Sequence, residues 1–184
     1  MHKKLIIFVG MPGAGKSICV DHLVNKGLPK VYFGGITLQE LKNRGLAVSP
    51  ENEKIVREDI RQKEGSDAYA KRIIADIEKL DSPTVVVDGL YSWSEYKLFK
   101  NKYGENAIII AVVAPKSVRH SRLQSRPIRP LNAAQADERD YSEIEHLEKG
   151  GPIANADYYL ANLQDIDSLT RSIDKLLKNL SIIT

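Results

Sequence analysis

A single cysteine, Cys19, stands in the 184-residue chain, which excludes an intramolecular disulfide and a metal cluster built on cysteine. The four histidines, His2, His22, His120 and His146, are scattered without ligand spacing, so a zinc site is not expected. No apolar run approaches the ~20 residues that cross a bilayer as a helix; the longest, residues 107–114, is strand-sized. The first apolar segment, Leu5-Ile-Ile-Phe-Val9, is too short for a secretory leader and has no small-residue cleavage site before Gly10. A cytoplasmic protein with no membrane partner is therefore expected. Internal repeats and low-complexity linkers are also lacking, and the length suits one domain with a full core. Charge of one sign is scarce: the net +3 is too small to argue for nucleic acid, which is not an expected partner.

The charge that is present is unevenly placed. Five basic residues and no acid lie between Lys116 and Arg129, whereas residues 137–148 carry six acids. A short basic block followed by an acidic helix suits a compact polyanion better than a duplex, which calls for a long basic stripe.

Apolar runs alternate with helical patterns. Residues 4–9, 31–33, 84–88, 107–113 and 158–161 read as strands, the third and fourth continuous enough in Val and Ile to be buried on both faces. The first helix is expected over about 16–26, stopping at Gly27. The capping-box spelling Thr37-Leu-Gln-Glu40 predicts the start of another, ending at Gly45. Ser49-Pro50 opens a helix to Glu64, closed by Gly65. Ile73, Ile74, Ile77 and Leu80 make the stripe of the next, Ser92-Trp-Ser-Glu95 starts another that stops at Gly104, and Ile166 to Leu180 mark the last. Such alternation predicts a parallel sheet covered on both sides. The non-periodic stretch 127–136, with two prolines between two helices, is a candidate lid.

Residues 10–17, Gly-Met-Pro-Gly-Ala-Gly-Lys-Ser, match the P-loop (Walker A) pattern after a strand and before a helix. Backbone amides of such a loop turn inward around a phosphate, and the helix N-terminus adds partial positive charge. Gly10, Met11, Pro12, Gly13, Ala14 and Gly15 are thus candidate triphosphate-binding residues. Lys16 is the candidate partner of the β- and γ-phosphates and Ser17 the candidate ligand of Mg²⁺.

The third strand ends Val85-Val-Val-Asp88-Gly89. A carboxylate there suits a water on Mg²⁺ or an accepting hydroxyl. Glycine follows it, where ATPases that activate water generally need a second acid, and Asn101-Lys-Tyr-Gly104 lacks the aspartate of a guanine reader. Transfer to a bound acceptor is the leading reading; a P-loop ATPase or nucleotide switch acting with a protein or RNA partner stands as the alternative. Arg122 and Arg126, four residues apart, and Arg129 are candidates for charge on the moving phosphoryl group. Arg119 reads as a solvated residue of the same basic face. Cys19 reads as packed, Trp93 and Tyr96 as packing residues beside Asp88 with lining of the acceptor pocket as the other reading, and Gly150-Gly151-Pro152 as a turn or hinge.

These motifs resemble the adenylate-kinase and dephospho-CoA-kinase branch of the P-loop kinases. The chain is most similar to a poorly characterised kinase-like family sharing Gly-Met-Pro-Gly-x-Gly-Lys-Ser, the Val-Val-Asp-Gly strand end and an Ala-Asp-Tyr strand, here residues 156–158. The resemblance implies an α/β three-layer P-loop NTPase fold, with a five-stranded parallel sheet in the order 2-3-1-4-5, helices on both faces and a short lid. It also implies ATP and Mg²⁺ as cofactors, a small-molecule acceptor held over about 34–75, and a monomer or small homo-oligomer. By it, Arg122 would stack on adenine, Arg126 would touch the phosphates, and Asn162 would border the base. Two family arginines are missing here: Gly34-Gly-Ile-Thr-Leu-Gln39 has none, and Tyr91 stands in the Asp-Gly-Ile-Arg run. Arg57 and Arg61, four apart on one helix face, are the candidates to replace them, with surface pairing to Glu53, Glu58 and Glu64 as the other reading.

Overall fold

The computed structural model describes residues 3–128 and 130–182. Runs of Val and Ile form the middle of a sheet: β1 (Lys4–Val9), β3 (Thr84–Asp88) and β4 (Ala107–Val113) at its centre, β2 (Lys30–Tyr32) and β5 (Tyr158–Ala161) at its edges. The order is β2-β3-β1-β4-β5 and every pairing is parallel. Because successive side chains of a strand point to opposite faces, β1 feeds two cores. Leu5, Ile7 and Val9 join Val85, Val87 and Ile109 beneath α2 (Phe33–Asn43), α3 (Pro50–Glu64), α4 (Ala68–Lys79) and α5 (Trp93–Tyr103). Ile6 and Phe8 join Val86, Ile110 and Val112 beneath α1 (Lys16–Asn25) and α9 (Ile166–Asn179). A sheet covered on both faces has no need of polar alternation, which is why its central strands read as continuous apolar runs.

α6 (Lys116–Ser125), α7 (Ala133–Glu145) and the short α8 (Gly150–Ala154) lie between β4 and β5. Ser49 caps α3, its hydroxyl accepting from the Asn52 amide at 3.2 Å. Ser92 and Glu95 close a reciprocal capping box on α5. Both starts were expected from the spelling.

Three expectations are corrected. α2 starts at Phe33, not Thr37. Thr37 sits inside the helix, buried, its hydroxyl 2.8 Å from that of Tyr69 on α4; the burial of Phe33 against Tyr91 and Phe99 sets the earlier start. β2 accordingly ends at Tyr32. The irregular stretch is shorter than 127–136: Asn132 caps α7 in a box with Gln135, and Ala136 is fully buried on the helix. The prolines fall before the cap, so only the segment up to Asn132 is free of helix.

The order reverses beside β1, where the chain moves from the β3 side to the β4 side. Open parallel sheets bind ligands beyond the carboxyl ends of the strands at such a point. The register places Asp88 there, next to Phe8 on one side and Tyr32 on the other.

Candidate functional site

The loop between β1 and α1 wraps on itself, the Ala14 amide bonding Met11 O at 3.1 Å. Two glycines are required by space and backbone together. Gly13 (φ 77) would place a Cβ 2.5 Å from the Arg119 carbonyl oxygen, and at Gly15 (φ 104) a Cβ would run into the Asn162 amide. Lys16 bends back over the loop and donates to Gly10 O at 2.6 Å. Burial of its ammonium, with Lys149 nearby, pushes its pKa down to about 7, against the pull of Glu143 and Asp88. Ser17, next along α1, is exposed.

Asp88 shares this electrostatic neighbourhood: burial raises its pKa, while Lys16 opposes the shift. Beyond it, Tyr91 packs edge-on against Phe33, ring centroids 5.8 Å apart. Its phenol is enclosed, and burial pushes its pKa up. Over its ring, 4.7 Å from the centroid, lies the ammonium of Lys149. That lysine is 1% exposed and bonds Glu143 of α7. Glu143 also receives Arg139 at 3.4 Å. Burial opposes ionisation of Glu143, but Lys149, Arg139 and Lys16 outweigh it and hold the carboxyl below its usual range.

Arg119 does not lie on a solvated face. It is 7% exposed and grips Asp140 with both guanidinium nitrogens, at 2.9 and 2.7 Å, while also donating to Pro12 O at 3.0 Å. The basic helix is thereby bolted to α7 and to the phosphate loop. Burial works against the Asp140 carboxylate, yet hydrogen bonds from Arg119 and His120 hold its pKa below the usual range.

Arg122 donates to the backbone oxygen and Oδ1 of Asn162, at 3.2 and 3.3 Å. Asn162 is buried, its amide donating to Ala14 O at 2.8 Å. This residue, expected beside a base, therefore braces the loop and Arg122. A cavity of about 220 Å³, bounded by Asn162, Leu163, Gln164 and Leu169, lies alongside. Arg126 does not continue the helical face of Arg122: α6 ends at Ser125, and Arg126 is extended (ψ 141) because Pro127 disfavours helical backbone before it. Arg126 is half-buried; Arg129 lies outside the described residues.

On α3, Arg57 pairs with Glu53 at 3.4 Å, the surface pairing weighed for it. Arg61 does not pair with Glu58 or Glu64. It reaches across to buried Glu95 at 3.7 Å and lies over the Tyr69 ring, 4.6 Å from its centroid. Arg61 and the Tyr91 amide, which donates at 2.8 Å, thus meet the same Glu95 carboxylate, and Arg57 stands toward solvent. Sequence reasoning missed Glu143, Arg139 and Lys149. The buried residues of α7 are Ala136, Asp140 and Glu143, a helical stripe with acids where apolar residues usually stand, and that was the available signal.

The site can be tested for fit to a nucleotide and its cation. The buried Nη1 of Arg122, which has no hydrogen-bond partner among the described residues, suits an anionic, phosphate-bearing ligand. Among the described residues no cluster of three His, Cys, Asp or Glu could hold a metal alone. Ser17 and Asp88 are hard oxygen donors that suit Mg²⁺ held jointly with phosphate oxygens.

Fold and loop together define a P-loop protein of the nucleotide-kinase-like class. A family model described as "AAA domain" matches residues 6–146. A UPF0200 protein of Thermococcus onnurineus is 33% identical over 181 residues, 96% of this chain and 97% of that one. The match to a UPF0200 protein of Methanosarcina mazei is 38% identical over 123 residues, 67% of this chain and just under two thirds (66%) of that relative. The chain belongs to the UPF0200 family, a poorly characterised group of these proteins. Among solved structures, TT1252 from Thermus thermophilus superposes with a TM-score of 0.66 at 18% identity, covering 98% of this chain and 99% of that one. Shikimate kinase from Acinetobacter baumannii in complex with shikimate gives 0.59 at 16%, covering 97% and 93%. A gluconokinase from Sinorhizobium meliloti 1021 gives 0.59 at 15%, covering 98% and 97%. At such identities the likeness is one of fold, and it is kinase-like. No helix among the described residues is long and apolar enough to cross a membrane.

Proposed function

We propose that the protein is an ATP-dependent phosphotransferase that moves the γ-phosphoryl group to a small metabolite or nucleotide-like acceptor. The observation that carries this reading is the register that sets Asp88, at the end of β3, beside Phe8 of β1 just before the phosphate loop of Lys16, where the two charges act on one another. Lys16 neutralises the β- and γ-phosphates, whose charge restores the ammonium that burial disfavours. Loop amides within residues 10–15, other than Pro12, which has no N–H, hold the triphosphate, and Arg122 with the cavity beyond Asn162 receives the base. Ser17 and Asp88 would hold Mg²⁺, which would shield the negative charge of the phosphates. Asp88 also orients the accepting hydroxyl. Arg126 and Arg129 bring positive charge to the transferring group as the segment before Asn132 closes, and Arg61 and Tyr91 line the acceptor space, with Arg57 at its rim.

A screen of ADP release with Mg·ATP against nucleosides, nucleotides, dephospho-CoA and sugars tests the proposal. Acceptor-dependent ADP formation, absent in Lys16→Ala, is the expected result. ADP formation that responds only to a protein or RNA would sink it in favour of a switch.

A further inference from the structure

The Glu143–Lys149 pair has no place in the roles above, and stability does not explain it. Taking two charges out of water costs several kcal/mol per ion, so a buried pair is often no better than apolar residues of the same volume. Yet Lys149 is 1% exposed and Glu143 8%. The pair is closed twice, by its side chains and by the Lys149 amide bonding Glu143 O at 3.1 Å. It also has company. Glu143 is reached by Arg139 at 3.4 Å and lies within the electrostatic range of Lys16. Lys149 lies over Tyr91 and senses Glu95. Three cations, Lys16, Arg139 and Lys149, thus converge on one carboxylate, with Asp88 as the other acid near Lys16.

We infer that Lys149 and Arg139 form an anion subsite facing Lys16, filled in the free protein by the carboxylate of Glu143, which a phosphate oxyanion displaces. The inference rests on the phosphotransferase reading of the same site. A lysine point charge beside an arginine fork suits a phosphate dianion. A ligand carrying more charge than one carboxylate gains more from the buried ammonium of Lys149, the half-exposed guanidinium of Arg139 and Lys16 than Glu143 does. Of the two glycines directly after Lys149, Gly150 faces open space, whereas Gly151 lies so close to Trp93 that a Cβ there would sit 2.9 Å from the indole. The oxyanion is either the terminal phosphate of the nucleotide or a phosphate belonging to the acceptor.

Affinities for Mg·ATP, Mg·ADP, and inorganic phosphate added to the ADP-loaded protein separate these sources in wild type, K149M, E143Q and the double variant. If the phosphate is the nucleotide's own, K149M loses at least about tenfold in ATP affinity and keeps that for ADP. If it is the acceptor's, K149M keeps both nucleotides and loses inorganic phosphate by a similar factor. E143Q, which removes the internal competitor, tightens the same ligand. The double variant leaves no orphaned charge; it folds and shows the loss seen in K149M, so a misfolded single variant does not spoil the test. Loosening of α7 against α8 would lower all three affinities together, and that pattern overturns the inference. So does a folded double variant that binds all three ligands like wild type. In both cases wild-type nucleotide binding leaves the phosphotransferase reading standing. A wild-type protein that binds no ATP overturns both.

Discussion

Among the described residues no ion pair holds Asp88; the charges that act on it are Lys16 first, then Lys30 and Asp21. Asp88→Asn keeps the size and removes the charge. We expect kcat to fall by about 10²-fold or more while ATP affinity changes little, the signature of a group acting on the reacting atoms. Equal losses in both would reduce Asp88 to a strand end. Gly13→Ala tests the cradle: at φ 77, with a carbonyl oxygen 2.5 Å from the new Cβ, strain of about 1–3 kcal/mol is expected. It should appear as a lower melting temperature together with weakened ATP binding. At this scale the sequence was legible where a motif fixes spacing, as in residues 10–17, and opaque where the partner is remote. Arg119 meets Asp140 and Arg61 meets Glu95 only because of how α6, α7, α3 and α5 pack. No local pattern encodes such pairs.

Between elements, the joint that matters is α6 to α7. The Arg119–Asp140 pair is nearly buried, so Asp140→Asn should cost about 3–5 kcal/mol at neutral pH by leaving a buried guanidinium unpaired. The sign with pH follows from Asp140 titrating below its unfolded value of about 3.9: the contribution is fully present above that value and fades as pH falls through the lower folded one. Chemical denaturation from pH 7 to 2.5 should show the curves of the wild type and of the Asp140→Asn variant converging at the acid end, and parallel curves would refute the pairing. The described residues between Arg126 and Asn132 bury little; Ile128 is 74% exposed. The open and closed states of this segment should therefore lie within a few kcal/mol. Amide exchange should slow there and in residues 10–17 on addition of a non-hydrolysable ATP analogue, with Arg126→Ala removing only the former. The ends of this segment were misread because the Asn132 cap carries glutamine in the third position, among alanines that look non-periodic until Asp140 and Glu143 are seen to face inward. Capping spelling likewise misplaced α2, where a buried aromatic, Phe33, overrode a local preference.

For the molecule as a whole, a parallel sheet covered on both faces was legible in the hydrophobic runs, whereas the strand order was implied by the family resemblance and is the one found. The charged cluster of Arg61, Glu95, Glu143 and Lys149, proposed here to face the acceptor, was not displayed, because its residues come from α3, α5, α7 and the start of α8. Ligand binding that favours the folded chain stabilises all of it. At a hundredfold excess over Kd, about 2.7 kcal/mol is gained, or a melting shift of about 5–10 °C for a chain this long. Scanning calorimetry should show that shift with Mg·ATP for wild type and none for Lys16→Ala, whose melting without ligand stays near that of wild type.

The chain has one tryptophan, and Trp93 stacks on Tyr96 with ring centroids 4.7 Å apart and planes 15° from parallel, while its other contacts include Gly151. The sole strong intrinsic fluorophore thus rests against the step that carries Lys149. Any movement of that step changes what surrounds the indole and hence its emission, so rearrangement of the acceptor side can be followed in real time, in stopped flow, without attaching a dye.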